Sequence, residues 1–245
     1  MQGIPQNKKD IAELCLKHPV RLAHLLGYDL LEEGLHDAWI ILMIHAIING
    51  DPYTLLAHRG SYKTTCLVIA FAIVMLLFPN RRMALFRKTG DAVAELTRGI
   101  RNALTSKPFQ YMSKKIWGVP ISFKIDNSKE LDTNLRTSPM GTSQFKGAGI
   151  GENITGMHVD YAHCDDIATR KDYESQAHRE DTARFLIELM NVANRVKGRR
   201  KMPIGHTGTR WHELDIFSPK RKLVQPPIIY NCLQTGLMSD EQIEE

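Results

Sequence analysis

The chain has 245 residues and a mass of 27.8 kDa, with 43% hydrophobic and 24% charged residues. That composition excludes a disordered chain, a collagen and a coiled-coil rod, and the length suffices to bury a core without disulfide or metal staples. Lys and Arg number 32 against 27 Asp and Glu, a net charge of +5 that permits a polyanionic partner without demanding one.

In chain order, residues 8–26 predict a helix, and 35–49 (LHDAWIILMIHAIIN) a second, mostly apolar one stopped by Gly50-Asp51-Pro52. Tyr53 to Ala57 reads as a short strand, followed by a tight polar loop and an apolar helix from about Lys63 to Phe78. The apolar run Cys66 to Phe78 is too short to span a bilayer and suits a helix buried on all sides. Met83 to Phe86 predicts a buried strand, and 90–106 an amphipathic helix with Val93, Leu96, Ile100 and Leu104 on one face. Residues 119–150, rich in turn formers, predict hairpins; Met157 to Cys164 predicts a strand, 175–196 a long helix, and Met202 to Thr207 and Ile228 to Cys232 two further strands.

Alternating strands and helices predict an α/β fold with a mainly parallel central sheet flanked by helices. In such sheets ligands sit beyond the carboxyl ends of the strands, so the loops 58–63, 165–170 and 208–212 are expected to meet at one edge. Cys15, Cys66, Cys164 and Cys232 are far apart, which excludes a C-x-x-C pair and favours a reducing cytosolic setting. The N-terminal stretch is polar, with no signal-peptide core.

Three segments carry chemistry. The first, LLAHRGSYKTT, follows a strand and opens a helix. Against the phosphate-loop pattern G-x-x-x-x-G-K-[ST], Lys63-Thr64 match, while Ala57 and Tyr62 stand where the glycines belong. Amides of Gly60, Ser61, Tyr62 and Lys63 at a helix N-terminus form an anion site, with Thr65 beside them. Lys63 suits the β/γ-phosphates, the Thr64 hydroxyl suits Mg²⁺, and Arg59 suits a second cation on the γ-phosphate. The bland alternatives are a charged first helical turn and a solvated loop arginine.

The second segment is the strand ending in Asp165-Asp166. In phosphate-loop ATPases the first acid holds Mg²⁺ and the second polarises the attacking water. His158, His163 and Cys164 invite a zinc reading, but His163 and Cys164 fall on opposite faces of a strand and no second ligand pair is spaced to close a tetrahedron. Glu152 and Asp160 are the next acids to consider for catalysis. The third segment, Thr207-Gly208-Thr209, is either a γ-phosphate sensor at a strand tip or a simple glycine turn.

Together RGSYKTT, ITGMHVDYAHCDDI with RKDYES, RFLIELMN and GTRWHELDIF resemble, in order, the large subunit of viral terminases, the DNA-packaging motors of tailed phages. The resemblance covers most of residues 35–217 and implies an ASCE-type P-loop ATPase that hydrolyses ATP with Mg²⁺ and translocates double-stranded DNA. It implies assembly as a ring at the procapsid portal in the host cytoplasm, with the portal protein and a small terminase subunit as partners. It places Lys63 and Thr64 on phosphates and Mg²⁺, Arg59 at the family's loop arginine, Asp165 at the Mg²⁺ acid, Asp166 where many members carry Glu, and Thr207 to Thr209 at the coupling motif. Leu35, His36 and Trp39 lie where adenine contacts are expected.

It divides the chain into an N-terminal helical segment at 1–50, an ATPase core at 51–217, and at 218–245 the start of a tether toward a nuclease domain that the sequence does not contain, so no nuclease activity is expected. The chain departs from the pattern at Tyr62, and at Thr155, where many members carry an arginine that acts on a neighbouring subunit; Arg170, Arg179 and Arg195 are the alternatives. The runs 197–201 and Lys220-Arg221-Lys222 are the densest basic patches, suited to phosphate contacts without sequence readout. Two further readings are another ASCE ATPase or helicase acting on nucleic acid, and a nucleotide-binding docking module without turnover.

Overall fold

A computed structural model describes residues 4–5, 7–139, 141–154, 156–190 and 203–238. The opening helical segment is two helices, α1 (Lys8–Lys17) and α2 (Pro19–His24), where one was expected over 8–26. Pro19 lacks an N–H and restricts the residue before it, so helix α1 ends at His18 and a new helix begins with proline in its first turn. Helix α3 (Leu35–Asn49) ends on Gly50 in the left-handed conformation, a glycine stop.

Strand β1 (Tyr53–Ala57) feeds the polar loop into α4 (Lys63–Leu77), whose interior is buried throughout, as its unbroken apolar run requires. Then come β2 (Met83–Arg87) and α5 (Gly90–Thr105), whose buried face carries Val93, Leu96, Ile100 and Leu104. Helix α6 (Lys107–Trp117), started by the Ser106 cap and Pro108, was not expected. Strands β3 (Phe123–Asp126), β4 (Glu130–Thr133) and β5 (Phe145–Gly149) follow.

Strand β6 (Tyr161–Asp165) is shorter than the expected 157–164: Met157 and Val159 are buried, but precede the strand, Val159 in an isolated β-bridge. Helix α8 (Gln176–Leu189), capped by Ser175, fills the described part of the helix expected over 175–196, residues 191–196 lying outside the described residues, and a short helix α7 (Arg170–Glu174) precedes it. Strand β7 (Ile204–Gly208), β8 (Ile228–Tyr230) and α9 (Cys232–Thr235) complete the order.

The strands form one sheet in the order β3-β4-β5-β2-β6-β7-β1-β8. From β5 to β8 every pairing is parallel, while β3-β4 and β4-β5 are antiparallel, as the hairpin reading of 119–150 expected. Strands buried on both faces read as continuous apolar runs. Tyr53, Leu55, Met83, Leu85 and Tyr161 join one core with α1–α6, and Leu56, Ala84, Phe86, Ala162 and Cys164 join a second with α8 and Ile216-Phe217. No described helix is long and apolar enough to cross a membrane.

Candidate functional site

Parallel register brings the ends of β1, β6 and β7 side by side, with Leu55 opposite Thr207 and Asp165 opposite Thr207. The three loops expected at one edge do meet there. Thr64, in the first turn of α4, donates to Asp165 Oδ2 at 3.0 Å, Thr207 donates to Asp165 Oδ1 at 2.6 Å, and Thr209 donates to the Ala57 carbonyl at 3.1 Å. Asp166 is pinned as well, its amide donating to the Thr207 carbonyl at 3.0 Å.

The Lys63 side chain is buried inside the loop. Its ammonium donates to Ala57 O at 2.9 Å, His58 O at 2.8 Å and Ser61 Oγ at 3.2 Å, using all three protons. Burial pulls the Lys63 pKa down, and the carboxylates of Asp166 and Asp165 oppose that shift. Ser61 closes the turn by donating to His58 O at 2.8 Å.

Gly60 and Tyr62 both lie in the left-handed region, at φ 84° and 59°. Tyr62, where the phosphate-loop pattern has glycine, therefore adopts the conformation that favours glycine. Its half-buried ring packs edge-on against His36. Arg59 is exposed at the loop tip and Thr65 half-buried in the first turn of α4.

Asp165 is fully buried. Besides the two threonine hydroxyls, Arg87 at the end of β2 places its Nε 3.1 Å from Oδ2, an ion pair whose N–H is not aligned as a hydrogen bond. Asp166 also has a left-handed backbone, φ 47°, which aspartate tolerates better than most residues. Burial first, then the Asp165 charge, push its carboxyl up to about 6, against Lys63, Arg87 and Arg59. Gly208 makes room for Phe217 beside this turn: a Cβ there would lie 2.9 Å from the Phe217 ring, and only in ordinary contact, 3.7 Å, with Asp166 Oδ1.

His36 and Trp39 come next to the loop but are fully buried. His36 Nε2 lies 3.3 Å from Ser61 O, so His36 backs the loop, and Trp39 packs edge-on behind it at 5.2 Å and against Tyr230. Leu35 is half-buried at the start of the same helix.

GTRWHELD forms a turn organised by the buried Asp215, which accepts from the amides of Trp211, His212 and Phe217 at 3.0, 3.3 and 2.9 Å. Asp160 lies at the opposite end of β6, paired with Arg82, and Glu152 is held by Lys129, so neither acid reaches the cluster. Of the candidate trans arginines, Arg170 pairs with Glu174 and Arg179 donates to the Asp172 carbonyl, while Thr155 and Arg195 lie outside the described residues. Residues 197–201 also lie outside them. Arg221 is committed to Glu180 and Leu214 O, which leaves Lys220 and Lys222 of that basic run.

Sequence reasoning missed Arg87, paired with Asp165, and the contact of His163 Nε2 with the Thr207 hydroxyl at 3.0 Å. Arg87 carried one usable signal, a charge directly after the apolar run MALF, the same pattern that marks Asp165.

Thr64 and Asp165 offer hard oxygen donors at a helix N-terminus, and among the described residues no group of three or more His, Cys, Asp or Glu is placed to hold a metal without help. That donor set fits Mg²⁺, which is bound through one or two carboxylates together with substrate phosphates. No family model matches the chain, and no curated protein matches it either.

Proposed function

We propose that this chain is the ATP-hydrolysing domain of a viral terminase large subunit, a Mg²⁺-dependent ATPase of ASCE-type P-loop fold that drives double-stranded DNA into a procapsid. The observation that carries the reading is the Thr64–Asp165 contact. It joins the loop-helix junction to the acidic strand tip at the edge where parallel sheets bind ligands. The order β8-β1-β7-β6-β2 supports the ASCE-type reading, because β7 stands between the loop strand and the acid strand. The terminase assignment is supported by the sequence resemblance, above all GTRWHELDIF.

Bound Mg²⁺ supplies charge neutralisation and a template for the phosphates. Thr64 and Asp165 are the residues that hold it. Lys63 exchanges its loop acceptors for the β/γ-phosphates, which the loop amides also bind, Arg59 adds positive charge at the loop tip, and Asp166 orients the attacking water. Thr207 and Thr209 tie β7 to both halves of the site, which suits a coupling element. On this reading the partners are DNA phosphates, the portal protein, a small terminase subunit and further copies of the chain in a ring.

An ATPase assay with and without double-stranded DNA and the neighbouring subunits tests the proposal. Mg²⁺-dependent hydrolysis stimulated by DNA or by the assembled ring is the expected result. Absence of hydrolysis in the assembled state contradicts it.

A further inference from the structure

Asp165 uses its two oxygens differently. Oδ2 faces Thr64 and Arg87, whereas Oδ1 faces inward to Thr207. Behind Thr207 the polar chain continues, since His163 Nε2 lies 3.0 Å from the Thr207 hydroxyl and Tyr53 OH lies 3.4 Å from His163 Nδ1. All four side chains are buried. We infer that His163 is a positioning residue, which with Tyr53 fixes the direction of the Thr207 hydroxyl and so keeps a proton donor on Asp165 Oδ1.

The hydrogen-bond inventory sets the direction. A threonine hydroxyl has one proton, and an ionised carboxylate only accepts. At 2.6 Å the Thr207 proton belongs to Asp165. The His163 nitrogen facing Thr207 must then donate, so Nε2 carries a proton, and full burial disfavours a second proton on the ring. Nδ1 is left as an acceptor, and the Tyr53 hydroxyl is its donor. In the other tautomer the Nε2 lone pair would compete for the Thr207 proton, and Asp165 Oδ1 would face an oxygen lone pair in a buried setting, where an unmet acceptor is costly.

The packing holds this ring in place. His163 is tilted against Tyr53 at 5.7 Å and edge-on to Phe71 at 6.2 Å. Gly205, in mid-strand β7, makes the room: a Cβ there would lie 2.8 Å from His163 Nδ1 and 2.7 Å from the Tyr53 ring, and would overlap the Tyr161 hydroxyl. A glycine inside a strand marks such a close approach. The effect of His163 on Mg²⁺-ATP rests on the proposed function, whereas the hydrogen-bond direction does not.

The test has two arms on the full chain. Long-range ¹H–¹⁵N NMR of ¹⁵N-histidine-labelled protein, with the His163 signals assigned by their loss in His163→Gln, reads the tautomer directly. A neutral ring protonated at Nε2 is expected; protonation at Nδ1, or an imidazolium at neutral pH, overturns the inference. The second arm measures ATP binding against MgCl₂ concentration. His163→Leu is expected to raise the Mg²⁺ requirement roughly 10-fold or more, the usual scale for a partner behind a metal ligand, with Mg²⁺-free ATP binding unchanged.

His163→Gln retains an N–H for Thr207 and an oxygen for Tyr53, and is expected to restore most of the loss. Tyr53→Phe, a milder change, is expected to give an intermediate requirement and keeps the test valid if the leucine variant does not fold. Equal defects in the Leu and Gln variants, or no change in Tyr53→Phe, overturn the positioning role. If Asp165→Asn itself leaves Mg²⁺ dependence untouched, the nucleotide reading fails, and the NMR arm still decides the hydrogen-bond inference.

Discussion

Thr64 and Asp165 lie 101 residues apart in sequence, and their side chains meet in a 3.0 Å hydrogen bond. The contact forms because the short loop 58–62 carries the chain from β1 into α4 while Asp165 ends β6, and β7 bridges the two strands in parallel register.

Lys63→Ala is expected to abolish Mg²⁺-ATP binding in isothermal titration. The lysine donates to Ala57 O and His58 O, so its loss removes both the phosphate cation and the tie that holds the loop closed. Binding at parental affinity would refute the phosphate-loop assignment.

Tyr62 gives a test of backbone against side chain. Glycine accepts φ 59° without the steric penalty of a Cβ, so Tyr62→Gly is expected to keep ATP affinity within a few-fold, the lost ring contact with His36 offsetting the relieved strain. Tyr62→Val is β-branched and disfavours that region, so it is expected to lose stability by about 1–2 kcal/mol and affinity with it. Thermal denaturation and titration of both variants check this; equal behaviour would mean that the left-handed turn does not matter.

The Arg82–Asp160 pair at the far end of β6 predicts a pH effect on stability. Burial alone would raise the Asp160 pKa, but the Arg82 guanidinium and backbone bonds outweigh it and hold the carboxyl below its ordinary value. A depressed carboxylate contributes stability that is present above its unfolded pKa and is lost as pH falls through the folded one. Asp160→Asn is therefore expected to lower stability by about 2–3 kcal/mol at pH 7, with the gap to the parent closing below about pH 4. Denaturant melts across that range measure it, and a gap independent of pH would contradict the ion-pair account.

Gly208→Ala places a methyl 2.9 Å from the Phe217 ring, beside Asp166. The ring is fully buried and has little room to retreat, so a loss of about 1–3 kcal/mol is expected, together with slower hydrolysis. Unchanged melting and turnover would show that the turn after β7 is looser than its packing implies.

Much of this site was legible in the sequence because each piece is a local pattern. KTT after a strand, DD at the end of one and TGT at the end of another each announce a strand tip, and strand alternation with helices predicted that the tips converge. Helix α4 was legible because its apolar run is continuous. The split at His18 turned on one residue, Pro19, inside an otherwise periodic pattern.

Helix α6 carried a readable signal as well: Phe109, Met112 and Ile116 recur at helical spacing beneath exposed lysines, and Ser106 and Pro108 mark its start. The part played by His163 had no local signature, since its polar partners Tyr53 and Thr207 lie 110 and 44 residues away. Nor did the sequence announce that Tyr62 and Asp166 adopt left-handed backbones, which only the completed turns impose.

The most direct test compares Asp165→Asn with Asp166→Asn. Asparagine accepts left-handed φ as readily as aspartate, so the second variant removes the charge and leaves the turn at 47° intact. ATP affinity and single-turnover rate are measured for both, in the assembled state. The account predicts that Asp165→Asn weakens Mg²⁺-ATP binding, while Asp166→Asn binds nearly as the parent and hydrolyses roughly 10²-fold more slowly. Equal loss of binding in both, or full turnover in Asp166→Asn, would contradict it.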